Sequence, residues 1–139
     1  MSPDFKSGWV AVDFDATLAH YDGWKGHPSI GAPIPKMLER VKKWLDEGLD
    51  VRIFTARADS PKDVELIQDW CREHLGRILQ VTNRKDFSTI EIWDDRAVQV
   101  EKNTGVEVVD KIAETSYNNG YDAGYADGMK DQKSKERFE

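Results

Sequence analysis

At 139 residues, with 26 acidic side chains against 20 Lys and Arg and a net charge of −6, the chain is sized for one domain around a single core. A pI near 5.1 excludes a broad nucleic-acid-coating surface, while contact with one nucleic-acid end stays open. The only cysteine, Cys71, excludes an internal disulfide and favours a reducing, cytoplasmic setting. The opening MSPDFKSGWV has no basic region followed by a long apolar stretch, and no window approaches a membrane span, so a non-exported protein with no membrane partner is expected.

Trp9 to Val12 is an apolar run, the habit of a strand buried on both faces of a parallel sheet. It delivers two carboxylates, Asp13 and Asp15, at its C-terminal end, where open α/β sheets bind ligands. Phe14 points to the other side and anchors the turn. Ala16 and Thr17 are small enough to let backbone N–H groups approach an anion. Residues 19–35 hold His20, Tyr21, Asp22, Trp24, Lys25 and His27 among three glycines and three prolines, too many punctuators for a regular element. An ordered flap beside the strand end is expected, with His20 and His27 making single hydrogen bonds in preference to binding a metal, and Trp24 packing the flap in preference to stacking on a base.

Met37, Leu38, Val41, Trp44 and Leu45 predict a helix over 36–47, ended by Gly48. Asp50 to Thr55 reads as the second strand, with Ala56 and Arg57 at its C-terminal end. Ser60 as N-cap and Pro61 in the first turn open a helix to about His74, with Val64, Ile67, Trp70, Cys71 and Leu75 inward. Ile78 to Thr82 is a third strand, followed by the polar loop of residues 83–86. Thr89 to Trp93 is a fourth, closing on Asp94, Asp95 and Arg96, and Val106 to Val109 is a last short one after the turn signal Asn103-Thr104-Gly105.

Strands alternating with helices predict an α/β fold, a three-layer, doubly wound, mainly parallel sheet over residues 1–111. Residues 112–139 change character. Tyr117, Tyr121 and Tyr125, like Gly120, Gly124 and Gly128, recur every four residues. A helical extension with a frayed charged end is expected there, although interior glycines cost a helix about 1 kcal/mol each.

Carboxylates two residues apart on a strand face the same way and repel unless a cation or a shared proton relieves them. Adding Asp94 and Asp95 gives oxygen donors around one point with no soft ligand near, a set suited to Mg²⁺. A neighbouring Lys or Arg and a Thr hydroxyl would complete a site for a tetrahedral anion.

DFDAT at 13–17, Thr55 after an apolar strand, Lys85, and DD at 94–95 resemble the four motifs of the haloacid dehalogenase superfamily of phosphohydrolases, in the same order and over residues 9–109. The resemblance implies that Asp13 is the nucleophile, forming an aspartyl-phosphate, and Asp15 the general acid/base. It implies that Thr55 binds the phosphoryl group and Lys85 or Arg84 steadies its charge. Asp94, assisted by Asp95, would hold Mg²⁺ together with Asp13 and the backbone carbonyl of Asp15. Phe14, Ala16, Thr17, Ala56, Arg57 and Arg96 would contact the substrate, with Arg57 and Arg96 open also to pairing with the carboxylates. Ala16 stands where glycine is common in the superfamily. No stretch is long enough for a cap domain, so a large substrate, a second subunit of a homo-oligomer, or the flap must shield the site. The DDR run 94–96 is similar to the 3′-phosphatase half of polynucleotide kinases, which points to a phosphorylated small molecule such as a nucleotide, or a nucleic-acid end. Two rival readings are a phospho-accepting receiver module and a catalytically idle phosphate-binding domain.

Overall fold

The computed structural model describes residues 7–108, and the chain divides into two compact units, Met1–Ala97 and Val98–Glu139. In the first unit, strand β1 (Trp9–Val12) is followed by helix α1 (Pro35–Asp46) and β2 (Asp50–Phe54). A 3₁₀ turn (Ala56–Asp59), α2 (Pro61–Leu75), β3 (Val81–Thr82) and β4 (Thr89–Trp93) complete it. The four strands form one parallel sheet in the order β3-β2-β1-β4, with β1 paired on both sides. β1 and β4 fall out of register between Trp9 and Val10, where β4 inserts Ile90 as a bulge.

Parallel strands need crossovers, and helices supply two of them. Side chains alternate along a strand, so Val10 and Val12, in register with Val51 and Ile53, share one face. That face packs against Met37, Val41 and Leu45 of α1 and Ile67, Trp70 and Cys71 of α2. Each such side chain contributes roughly 1.5–3 kcal/mol when fully buried. Among the described residues both α-helices therefore cover the same face. On the opposite face Trp9 is buried, its indole Nε1 donating to Asp86 Oδ1 at 3.0 Å and the Arg52 guanidinium lying 4.5 Å over its ring.

The helix starts follow from capping chemistry. Ser60 Oγ accepts from the Asp63 N–H at 3.2 Å, and Pro61 occupies the first turn, where no N–H is needed. The expected third strand is shorter than its apolar pattern. Only Val81–Thr82 pairs fully with β2, although the Ile53 N–H still reaches the Gln80 carbonyl, and Ile78 is 48% exposed while Leu79 enters the core. Among the described residues of the expected last strand, none pairs in this sheet. Val106–Val108 instead folds back on 99–101 as a small antiparallel hairpin, with Val100 opposite Glu107 and Asn103 and Gly105 at positive φ in the turn. Val109, the boundary at 111 and the Tyr/Gly segment expected as a helix lie outside the described residues. No helix among the described residues is long and apolar enough to cross a membrane.

Candidate active site

The acids of β1 and β4 meet because these strands are neighbours and parallel, which puts their C-terminal ends side by side. The Asp13 N–H donates to the Trp93 carbonyl at 2.8 Å, extending the ladder one step past Val12 and setting Asp13 beside Asp94. One carboxylate oxygen each from Asp13, Asp94 and Asp95 lies within 4.8 Å of the others.

Thr17 ties this cluster together. Its hydroxyl lies 3.1 Å from Asp13 Oδ2 and 3.3 Å from Asp95 Oδ1, and it accepts from the Asp95 N–H at 3.0 Å. A hydroxyl has one proton, so the two carboxylates compete for it. The chain reaches this arrangement through a tight turn in which the Phe14 carbonyl accepts from the Thr17, Leu18 and Ala19 N–H groups. Ala16 sits in that turn at φ 70°, a left-handed conformation that is costly for any residue with a Cβ. The position is thus one whose backbone glycine would adopt at less cost than alanine.

Burial, and after it the neighbouring negative charge, raises the pKa of Asp13. Burial is the largest cause and the Asp94 charge the next, with the Thr17 hydrogen bond opposing them, and together they push its pKa from 3.8 to about 7. Three hard oxygen donors, one of them half-buried and unwilling to ionise beside the others, fit a divalent cation of the Mg²⁺ type. Such an ion removes the repulsion and prefers carboxylate oxygen.

Asp15 belongs to a second arrangement. Arg57 grips its carboxylate with two parallel bonds, Nε to Oδ2 at 2.8 Å and Nη2 to Oδ1 at 2.9 Å. The same guanidinium reaches the Ser29 carbonyl at 3.0 Å and Asp63 Oδ1 at 3.4 Å. Arg57 therefore joins the first strand end, the flap and the first turn of α2. Of the two roles open to it, pairing with a carboxylate is the one seen. The Asp15 side chain stands apart from the three-carboxylate cluster.

The flap is anchored at several points. Trp70 Nε1 donates to the Gly31 carbonyl at 3.0 Å, the His20 N–H to the Ala32 carbonyl at 2.7 Å, and the Ile34 N–H to the Leu18 carbonyl at 2.8 Å. A Cβ on Gly31 would lie 2.1 Å from the His20 carbonyl oxygen, so this crossing requires glycine.

A cleft of about 740 Å³ opens over these groups. Of the residues singled out in the sequence, Asp13, Asp15, Ala16, Thr55, Ala56, Arg57, Asp94, Asp95 and Arg96 line it. Thr55 is buried, and its hydroxyl oxygen accepts from the Arg57 N–H at 3.1 Å, capping the 3₁₀ turn. Three expected residues are placed otherwise. Phe14 is wholly buried and meets Trp70 edge-on with ring centroids 5.0 Å apart, so its side chain is unavailable to a substrate. Thr17 orders the carboxylates rather than lining the cleft. Lys85 and its rival Arg84 are exposed on the loop after β3 and do not line the cleft. That loop turns at once, the Arg84 N–H bonding back to Thr82 Oγ1 at 3.1 Å, so Asn83 takes the cleft position instead.

The cleft also holds residues that sequence reasoning passed over: Tyr21, Trp24, Phe54, Asp59, Asp63 and Asn83. Asn83 follows a strand end directly, and Asp63 occupies the first turn of a helix that starts near one, positions that carry some signal. Tyr21 carried none, because an irregular flap has no periodicity, and for Trp24 stacking on a base ranked below packing. Trp24 does not pack the flap and is 70% exposed.

No protein-family model matches the chain, and no curated protein does. Among solved structures it is similar to a conserved protein of Bacteroides thetaiotaomicron, at 22% identity and a TM-score of 0.48 over 79% of this chain and 88% of that one.

Proposed function

We propose that this protein is an Mg²⁺-dependent phosphomonoester hydrolase of haloacid dehalogenase type, acting through an aspartyl-phosphate on Asp13. The observation that carries the reading is the meeting of Asp13, Asp94 and Asp95 within 4.8 Å at the C-terminal ends of adjacent parallel strands. With it goes a cytoplasmic setting; a three-layer, doubly wound form would need a further helix on the face opposite α1 and α2, which among the described residues both cover one face.

Asp13, Asp94 and Asp95 would hold Mg²⁺, which would supply positive charge against a phosphate. A carboxylate oxygen of Asp13 attacks phosphorus, and the ester P–O bond breaks. The departing oxygen takes up a proton, and a water that loses one attacks the acyl phosphate, releasing phosphate and restoring Asp13. Asp15 is the group assigned to carry that proton both ways, which requires it to part from Arg57 and take a proton from solvent before the ester bond breaks. Thr17 keeps the attacking carboxylate oriented, and Arg57 does the same for Asp15 through its two-pronged grip. The Thr55 hydroxyl, with its oxygen already accepting, keeps its proton to donate to a phosphate oxygen. Arg96 supplies the cleft cation: its guanidinium has no carboxylate partner among the described residues, and it replaces Lys85 in that role.

A receiver module would want its accepting carboxylate after the third strand, where this chain has Thr82 and Asn83. The test is turnover of an aryl phosphate with and without Mg²⁺ by wild type and Asp13→Asn. Mg²⁺-dependent turnover lost in the variant is expected. Turnover that survives the substitution, or ignores the metal, would overturn the reading, and a long-lived phosphoprotein with little turnover would favour the receiver.

A further inference from the structure

We infer that Trp24 and Tyr21 form a stacking site for the leaving group, and that the substrate class is a phosphomonoester of a planar ring compound, a nucleoside monophosphate. This deepens the hydrolase reading and rests on it. Both side chains line the cleft that holds the carboxylates, 70% and 44% exposed respectively, with no ring or hydrogen-bond partner among the described residues. The arm that carries both rings is held at its two ends, by the His20 N–H on the Ala32 carbonyl and by the bonds to Ser29 and Gly31, which fixes where it leaves and rejoins the cleft wall.

The local chain favours this display. Trp24 lies between Gly23 at φ 114° and Gly26 at φ 88°, conformations that turn the backbone sharply where side chains other than glycine's are strained. On either side of it Asp22 and Lys25 pair at 2.8 Å, which cancels their charge beside the ring. What the flap offers to the cleft is therefore an aromatic surface, not a charged one. A face of this kind binds another planar ring through dispersion and removal of water.

Size and charge narrow the class. About 740 Å³ leaves room in the cleft for a whole small molecule rather than phosphate alone. Asp13, Asp15, Asp59, Asp63, Asp94 and Asp95 line the cleft against Arg57 and Arg96, and Arg57 is engaged by Asp15 and Asp63. Such a wall accommodates one phosphate at the cation site and repels further ones, which selects a monophosphate over a triphosphate or a polynucleotide. Beyond the phosphate, neutral ring chemistry is what the acidic wall and the aromatic flap together admit.

The experiment compares kcat/KM for nucleoside 5′- and 3′-monophosphates, glycerol 2-phosphate, phosphocholine, a nucleoside triphosphate and a 3′-phosphorylated oligonucleotide, using wild type, Trp24→Ala and Trp24→Phe. Nucleoside monophosphates should lead the panel. Their advantage over glycerol 2-phosphate should shrink about tenfold to a hundredfold in Trp24→Ala, chiefly through KM, and largely return in Trp24→Phe. An advantage unmoved by Trp24→Ala, or a preference for phosphocholine or the oligonucleotide, overturns the inference. Calorimetric titration of nucleoside monophosphate into Asp13→Asn, with and without Trp24→Ala, separates the two readings. Trp24-dependent binding without wild-type turnover would sink the hydrolase and keep the ring site; turnover of glycerol 2-phosphate without ring preference would do the reverse. Neither binding nor turnover would remove both.

Discussion

Asp13→Asn tests the central cluster without any substrate. In the folded protein the Asp13 carboxyl has a pKa of about 7 against 3.8 for an unperturbed group, burial being the larger cause and Asp94 the next. Between those values the folded chain keeps a proton that the unfolded chain has already released. The unfolded state therefore binds fewer protons, and wild-type stability falls as pH rises through that window, with the full loss present above about pH 7. Each pH unit of displacement corresponds to about 1.4 kcal/mol, which sets a ceiling of about 4 kcal/mol. Water reaches this half-buried side chain and screens its neighbours, so a net effect of about 2 kcal/mol is expected. Asparagine stays neutral throughout. In urea unfolding with excess EDTA, Asp13→Asn should gain about 2 kcal/mol on wild type between pH 4 and pH 8. Saturating Mg²⁺ should narrow or reverse the gap, because the ion stabilises the form that binds it more tightly. A metal-free variant that is less stable than wild type at pH 8, or that tracks its pH slope, would refute the account of the cluster.

Other perturbations follow from single contacts. Arg57→Ala should lower stability by about 1–3 kcal/mol, because it leaves the partly buried Asp15 and Asp63 without their partner, and should raise hydrogen exchange near Ser29, which the guanidinium holds. Ala16→Gly should stabilise by about 0.5 kcal/mol in denaturant unfolding, relief of the left-handed strain slightly exceeding glycine's entropic cost. Gly31→Ala should destabilise by about 1–3 kcal/mol, since a Cβ there meets the His20 carbonyl. Cys71, buried and with its thiol pushed up to about 11 chiefly by desolvation, should resist alkylation at pH 8 until the protein is unfolded.

Much was legible in the chain because local rules and tertiary needs agree there. The apolar run 9–12 had to be an interior strand, Ser60-Pro61 had to start a helix, and the spacing of Met37, Val41 and Leu45 had to present one face inward. The carboxylates at the ends of β1 and β4 could be named as partners because strand ends of a parallel sheet all open on one side. Where a position is set by neighbours far along the chain, the pattern carried less. Val106–Val108 has the composition of a strand, yet composition does not say which strand it will pair with, and it closed a local hairpin.

Sequence by itself determined the types of the elements that build the sheet, its parallel habit and the acids at the C-terminal ends of its strands, since hydrophobic period, caps and breakers act over a few residues. Only the tertiary structure decided that Asp13 joins Asp94 and Asp95 while Asp15 is taken by Arg57, that Asn83 rather than Lys85 reaches the cleft, and that Trp24 stands exposed at its wall. Those outcomes depend on distances between segments tens of residues apart, and such distances are set by how the strands are ordered and how each loop leaves the sheet.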